Sequence, residues 1–301
     1  MKRYRDIAGD AGSNILGQVA DKRERLEARL RAVKWTVAVL SGKGGVGKSA
    51  VTVNLAAALA TRGHAVGILD ADLNGPSIAK MLGVRDQPLR FEGGAVRPVV
   101  GPAGLRILSM DLLLPSDEAP LLWDAPTQQD SFVWRAPQEV SALREFLTDT
   151  LWGELDFLLL DLPPGPDRLP SVLGLLPEGT GALVVTLPSE VSHLVVRKSV
   201  TMARDVLNVP VVGLLENMGA FVCSRCGARD RLFPGRGSER LAREMGLPFL
   251  GSVPFDPRIA ACGDRGVPFV LAHGDSPAGQ AFVAVAARLE GSVGTRQGLE
   301  L

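Results

Sequence analysis

Cysteine is scarce, with three in 301 residues, too few for a disulfide framework. Aromatic residues make up 5%, with one tyrosine and four tryptophans. They do not recur among basic residues in the pattern of a stacking platform for single-stranded nucleic acid. Neither sign of charge is in excess, since 33 Lys and Arg balance 33 Asp and Glu, so composition gives no general footprint for nucleic acid or anionic membrane. No uncharged apolar run reaches the length of about 18 residues that a membrane helix needs. The basic start has no apolar stretch behind it before a cleavage site, so no signal peptide is expected and the cytoplasm is the default location. His64, His193 and His273 show no local spacing that completes a metal set, and no Ser/His/Asp arrangement can be built.

What is present is a folded chain with 46% hydrophobic residues, 34 glycines and 21 prolines. Residues 1–34 read as an N-terminal helical arm, with Leu26, Leu30 and Val33 spaced like one side of a short helix. Residues 35–291 alternate short apolar runs with helical patterns, and 292–301 form a tail. Strands are expected at Thr36–Leu40, Ala65–Leu69, Leu105–Ser109, Phe157–Leu160, Ala182–Thr186, Val211–Leu215 and Phe249–Val253, several nearly continuous in apolar residues as in strands covered on both faces. Helices are expected at Val51–Thr61, Glu139–Leu151, Ser192–Leu207, Ser238–Met245 and Phe282–Leu289. The stretch from Asp86 to Asp130 is the least regular, with a small hairpin expected near Leu89 to Val99. The fold class is α/β, a doubly wound, mostly parallel sheet of the P-loop NTPase type.

A strand ending at Ser41 runs into Gly42-Lys43-Gly44-Gly45-Val46-Gly47-Lys48-Ser49-Ala50 and then a helix. Such a loop turns backbone N–H groups around a phosphate chain, with Lys48 on the β and γ oxygens and Ser49 on Mg²⁺. The spacing also imitates a dinucleotide fingerprint, but Lys48-Ser49 at the helix mouth has no function there. Lys43, at the opposite lip, is badly aimed at its own phosphates and well placed to reach those of a facing copy. Asp70 and Asp72 close one strand and Asp161 another, on one crevice. Asp161 is the expected distal Mg²⁺ acid, Asp72 the residue that orients water, and Asp70 a nearby partner. Pro163-Pro164-Gly165 suits a nucleotide-dependent switch with a free Gly165 N–H. No guanine-reading Asn-Lys-x-Asp run exists, and Asn217 can pair with the edge of adenine, so ATP is the expected nucleotide.

Cys223-Ser-Arg-Cys226 follows Asn217 closely and supplies half of a tetrahedral site. A two-fold dimer would supply four thiolates, matching the symmetry that Lys43 asks for. A bridging [4Fe–4S] cluster, bridging zinc, and a redox or inert pair are the three readings. Cys262 reads as a small core or surface filler, and His193 as a surface or cap residue.

These residues resemble the Mrp/ApbC family of iron–sulfur cluster carrier ATPases, within the deviant-Walker class that includes partition and septum-site ATPases. The resemblance spans Trp35 to Leu289. It is carried by Ser41 to Ser49, Asp70-Ala-Asp-Leu-Asn-Gly-Pro-Ser77, Leu160-Asp-Leu-Pro-Pro-Gly165 and, most specifically, Glu216-Asn-Met followed by Cys223-x-x-Cys226. It implies a homodimer that binds ATP and Mg²⁺ in each subunit, holds a labile [4Fe–4S] cluster between the subunits and delivers it to apo iron–sulfur proteins. On that pattern Lys43 is the signature lysine, Lys48 the phosphate lysine, Ser49 the Mg²⁺ ligand, Asp72 the switch acid, Asp161 the distal acid, and Cys223 and Cys226 the cluster ligands. No direct nucleic-acid or membrane partner is expected. The alternative is a nucleotide-switched partition or localisation ATPase with a zinc-bound or unoccupied cysteine pair. Two departures bear on activity: Ala50 stands where the family has threonine, and Pro166-Asp167 follows Gly165 where Thr-Gly-Asp is usual.

Overall fold

A computed structural model describes residues 24–114, 116, 128–223, 225–234 and 237–294. The rest of the expected arm, 1–23, and of the expected tail, 295–301, lies outside the described residues. The strands are β1 (Val33–Ser41), β2 (Val66–Asp70), β3 (Arg90–Glu92), β4 (Ala95–Arg97), β5 (Val99–Val100), β6 (Arg106–Leu108), β7 (Leu155–Asp161), β8 (Gly181–Thr186), β9 (Val211–Val222), β10 (Arg229–Asp230) and β11 (Phe249–Phe255). The main sheet runs β10-β9-β8-β1-β7-β2-β6-β5, with β11 also on β9. The β5–β6 and β9–β10 pairs are antiparallel and the other pairs of this sheet parallel, as the α/β texture requires.

Alternation along the strands builds two cores. Val37 and Val39 of β1, with Phe157 and Leu159 of β7, enter one cluster. Their neighbours Ala38, Leu40, Leu158 and Leu160 enter the other. The first is covered by α1 (Lys48–Thr61), through Val51 and Leu55, and by the C-terminal helix Pro277–Gly294, through Phe282 and Val285. Against the second pack Leu26 and Leu30 of a helical segment over 24–30, and Leu143, Leu147, Val196 and Val200 of helices Gln128–Asp149 and Glu190–Thr201. Helices therefore cover both faces, and the parallel strand ends open on one crevice.

Two elements differ from the sequence reading in ways that matter. The helix expected from Glu139 starts at Gln128 and runs through Pro137, so the proline costs one backbone bond without ending it. The strand expected to stop at Leu215 continues to Val222, because the polar pair that reads as its end is buried and bonded, as described below. The hairpin expected near Leu89 to Val99 is β3–β4. No described helix is long and apolar enough to cross a membrane.

Candidate nucleotide and cysteine site

The glycine loop fills the space between the end of β1 and α1. Gly45 and Gly47 adopt φ of 77° and 80°, conformations that favour glycine. A Cβ at Gly47 would collide with Asn217 Nδ2. Gly42 lies against Val195 of the facing helix, 3.0 Å from where its own Cβ would stand, and Ser41 Oγ donates to Lys43 O at 3.0 Å. Lys43 is half-buried and has no ion-pair partner among the described residues.

Beneath the loop, Asp161 at the end of β7 is wholly buried. It accepts hydrogen bonds from Ser49 Oγ at 2.6 Å and Thr52 Oγ1 at 2.7 Å. Lys48 Nζ stands 2.6 Å from Asp161 Oδ2 but is not directed into a hydrogen bond, and the buried ammonium has no hydrogen-bond partner. A buried cation with unspent donors fits a phosphate oxygen. Ser49 and Asp161 together form a hard oxygen donor set, which fits Mg²⁺. Thr52 escaped the sequence reading. Its position one helical turn after Lys48, on the same face, is the signal that could have found it.

Asp70, expected as a nearby partner, stands beside Asp161 in the sheet register. Its carboxylate accepts from the backbone N–H of Asp72, Ser77 and Ile78 at 3.2, 3.0 and 3.1 Å, and from Ser109 Oγ at 3.1 Å. It therefore clasps the turn that carries Asp72. Burial, with the nearby Asp161 charge, pushes the Asp70 carboxyl up to about 7. Asp72 is half-buried and accepts N–H groups from Gly75 and Asn74. Burial raises its pKa, with Lys48 opposing.

The Gly165 N–H is not free, contrary to expectation. It donates to Ser41 O at 3.2 Å, and Gly165 holds φ 100°, so the Pro163-Pro164-Gly165 segment is latched to the end of β1. Glu139 joins the turn after Asp72 to the segment after Gly165, accepting from Asn74 Nδ2 at 2.9 Å and from Arg168. It too was missed, since nothing in its local pattern distinguishes it from other helical acids.

On the far side of the loop, Asn217 Nδ2 donates to Val46 O at 2.9 Å. That uses one amide hydrogen and leaves Oδ1 and the second hydrogen for a base. Asn217, Gly47 and Ala50 border a cleft of about 580 Å³ whose opposite wall is Pro254 to Pro257. The preceding Glu216 is buried and accepts from Ser238 N at 2.6 Å and Ser252 Oγ at 2.7 Å. His193 is likewise buried rather than on the surface, 3.1 Å from Ser238 Oγ, and burial lowers its pKa. These bonds carry β9 onward as a strand, with Phe221 paired to Phe255 on one side and Asp230 on the other.

Cys223 and Cys226 sit where β9 turns into β10. Gly227 N donates to Cys223 O at 2.8 Å, and Cys223 N to Ala228 O at 2.9 Å. The Cys223 thiol is held below its ordinary pKa by N–H groups of Arg225 and Cys226 and by the Cys226 side chain. Cys226 is exposed and Cys223 half-exposed. No third metal-binding side chain joins them among the described residues. Cys262 is wholly buried in the core.

Residues 32–290 match the ParA family, described as the NUBPL iron-transfer P-loop NTPase. The chain is 44% identical over 263 residues to the iron-sulfur cluster carrier protein of Saccharolobus solfataricus, covering 87% of this chain and 85% of that one. The protein of the same name in Methanocaldococcus jannaschii is 42% identical over 273 residues, 90% and 89% of the two chains. Among solved structures, a nucleotide-binding protein from Archaeoglobus fulgidus in complex with ADP, with Co found, is similar at TM-score 0.68 and 34% identity, covering 82% of this chain and 92% of that chain. The MinD cell division protein of Aquifex aeolicus shares the fold at TM-score 0.58 and 22% identity, over 85% and 97% of the two chains.

Proposed function

The chain belongs to the ParA family of P-loop NTPases, in its NUBPL iron-transfer form, and from that premise we propose that it is an ATP-hydrolysing carrier of iron–sulfur clusters. Two copies hold one [4Fe–4S] cluster between them through Cys223 and Cys226 of each, and pass it to apo-proteins. The observation that carries this reading is a two-thiol half-site at the tip of the strand that also borders the nucleotide cleft. One chain offers half of the sulfur shell that such a cluster takes, and a two-fold axis supplies the other half.

ATP is held by the N–H groups of Gly42 to Ser49, by Lys48, and by Asn217 at the base. Mg²⁺, held by Ser49 with Asp161 behind it, would neutralise charge on the phosphate oxygens. Asp72 accepts a hydrogen bond from the water that attacks the γ-phosphorus as the bond to the bridging oxygen of ADP breaks. Lys43 reaches the phosphates of the partner copy. Pro166 stiffens the segment after Gly165, and slow turnover is the expected result. Supported by the same half-site, the cluster is cargo rather than a resident group.

Anaerobic reconstitution with iron and sulfide tests the reading. One four-iron cluster per dimer, absent in Cys223→Ala and Cys226→Ala while ATP binding persists, is the expected result. Zinc at the same site with iron refused would overturn it.

A further inference from the structure

We propose a second binding site, at the sheet edge opposite the cysteines, that takes an acidic peptide segment of another protein. Strand β5 ends the sheet at the far side from β9 and β10. Beside it, between the β3–β4 hairpin and the turn that follows helix Gln128–Asp149, opens a cleft of about 680 Å³. Arg90, Arg97 and Arg106 line it, and no acidic residue does. In a chain with equal numbers of acids and bases, a lining of one sign favours anionic partners.

The arginines are not equally committed. Arg106 donates to Trp152 O and, at 3.0 Å, to Glu154 O, so it is fixed in place with its remaining N–H groups open. Arg97 is exposed and paired with Glu92, itself exposed and outside the lining. Such a surface pair contributes little and exchanges readily for an incoming carboxylate. Arg90 is exposed with no ion-pair partner among the described residues. At the back of the cleft lies Trp152, wholly buried, whose indole Nε1 has no hydrogen-bond partner, a rare state for a buried donor.

Apolar exposure points to a peptide rather than to a small anion. Phe91 on the hairpin is 68% exposed and Val100 on the edge strand 60%. Arginine beside exposed aromatic and aliphatic surface is the composition of protein contacts, and inorganic phosphate would leave that surface uncovered. Since this edge lies six strands from β9, a partner held here leaves the thiols of the same copy accessible.

The test uses the full-length protein and two fluorescein-labelled ten-residue probes, one alternating Glu with Leu and one alternating Lys with Leu, read by anisotropy. The Glu probe should bind, weaken as salt rises, and lose about tenfold or more in affinity in Arg90→Glu/Arg97→Glu. Lys48→Ala and Cys223→Ala should bind it as the unaltered protein does. ATP hydrolysis by the Arg90→Glu/Arg97→Glu protein should be unchanged, which separates loss of the site from loss of the fold. Hydrogen exchange should slow at Val99 to Arg106 when the Glu probe is present. Equal binding of the two probes, retention of the Glu probe by the double variant, or its full displacement by millimolar inorganic phosphate would each overturn the proposal.

Discussion

Lys48 Nζ and Asp161 Oδ2 stand 2.6 Å apart beneath the glycine loop, with side chains 7% and 0% exposed. The pair holds the proposed phosphate lysine and the proposed Mg²⁺ acid at one point in the nucleotide-free fold. Removing one member of a buried pair strands the other charge, at a cost of about 3–5 kcal/mol, whereas removing both is far milder. Lys48→Met and Asp161→Leu should therefore each destabilise the fold by about 3 kcal/mol or more, and the double variant by less than their sum. Urea denaturation of the four proteins measures the coupling. ATP affinity should fall by about two orders of magnitude in Lys48→Met, as expected for lost charge-assisted bonds. Strict additivity of the two stabilities would refute the pair.

The loop is equally sensitive on its other flank. Gly47 combines φ 80° with a Cβ position that Asn217 Nδ2 occupies. Gly47→Ala should keep most of the fold and lose nucleotide binding, since the loop must either strain or push Asn217 off Val46. Asn217→Ala removes one neutral hydrogen bond, worth about 1 kcal/mol, and with it the base contact proposed here. Competition between ATP and GTP for the fluorescent-nucleotide complex should show about fivefold weaker ATP binding and a narrowed ATP preference. An unchanged ATP to GTP ratio would remove Asn217 from base selection.

The bond from Gly165 N to Ser41 O at 3.2 Å makes a prediction about rate rather than affinity. Gly165 holds φ 100°, and a Cβ there would meet Asp167 Oδ1 at 2.6 Å. Gly165→Ala costs about 1–3 kcal/mol of backbone strain at a switch. Hydrolysis should drop about tenfold or more while ATP affinity stays within about threefold. Glu139→Gln, which keeps the acceptor for Asn74 but weakens the bond from Arg168, should show a smaller drop of the same kind. Single-turnover kinetics separates these effects from binding. Equal losses in affinity and rate would place Gly165 in the nucleotide cradle instead.

Metal removal tests the half-site. Nucleotide-free, iron-loaded protein should sediment as a dimer and become monomeric when a chelator strips the iron, because the proposed bridge is four thiolates from two chains. Cys223→Ala/Cys226→Ala protein should be monomeric in both conditions. Retention of a full metal site by isolated monomers would contradict the bridge.

The strands of the core were legible because strands buried on both faces are written as apolar runs. The meeting of Lys48 and Ser49 with Asp161 was legible in the spacing of the glycine loop and the strand-end acid, and the two-residue gap marks Cys223 and Cys226 as a candidate pair. Other features were not. Glu216 and Asn217 read as a strand end, yet Ser238, Ser252 and Val46, distant in sequence, satisfy them and let β9 carry the nucleotide rim and the cysteine turn on one rigid element. Asp70 reads as a site acid, and only the fold brings Ser77, Ile78 and Ser109 to it. The helix expected from Glu139 begins at Gln128 and runs through Pro137, a start that local propensity does not show.

Asp70 also sets a pH dependence of the nucleotide-free fold. Its pKa rises from 3.8 to about 7 on folding, through burial and the Asp161 charge. Between those values the native state holds a proton that the unfolded chain has released, so unfolding gives up a proton and stability falls as pH rises. The contribution is complete below about pH 4 and gone above about pH 7. His193 acts oppositely, because its pKa is lowered by burial and stability from that source rises as pH approaches 6.5. The two must be separated by variant rather than read from one curve. Asp70→Asn mimics the protonated acid at every pH: the amide side chain can accept from Ser77, Ile78 and Ser109 but presents its NH₂ to Asp72 N, losing one bond worth about 1 kcal/mol. The stability difference between the unaltered protein and Asp70→Asn, from urea midpoints in the absence of nucleotide, should therefore favour the unaltered protein near pH 4.5 and shift steadily toward the variant up to pH 7. A difference that stays constant across that range would mean that Asp70 is ionised in the fold, with its four donors and Lys48 outweighing burial.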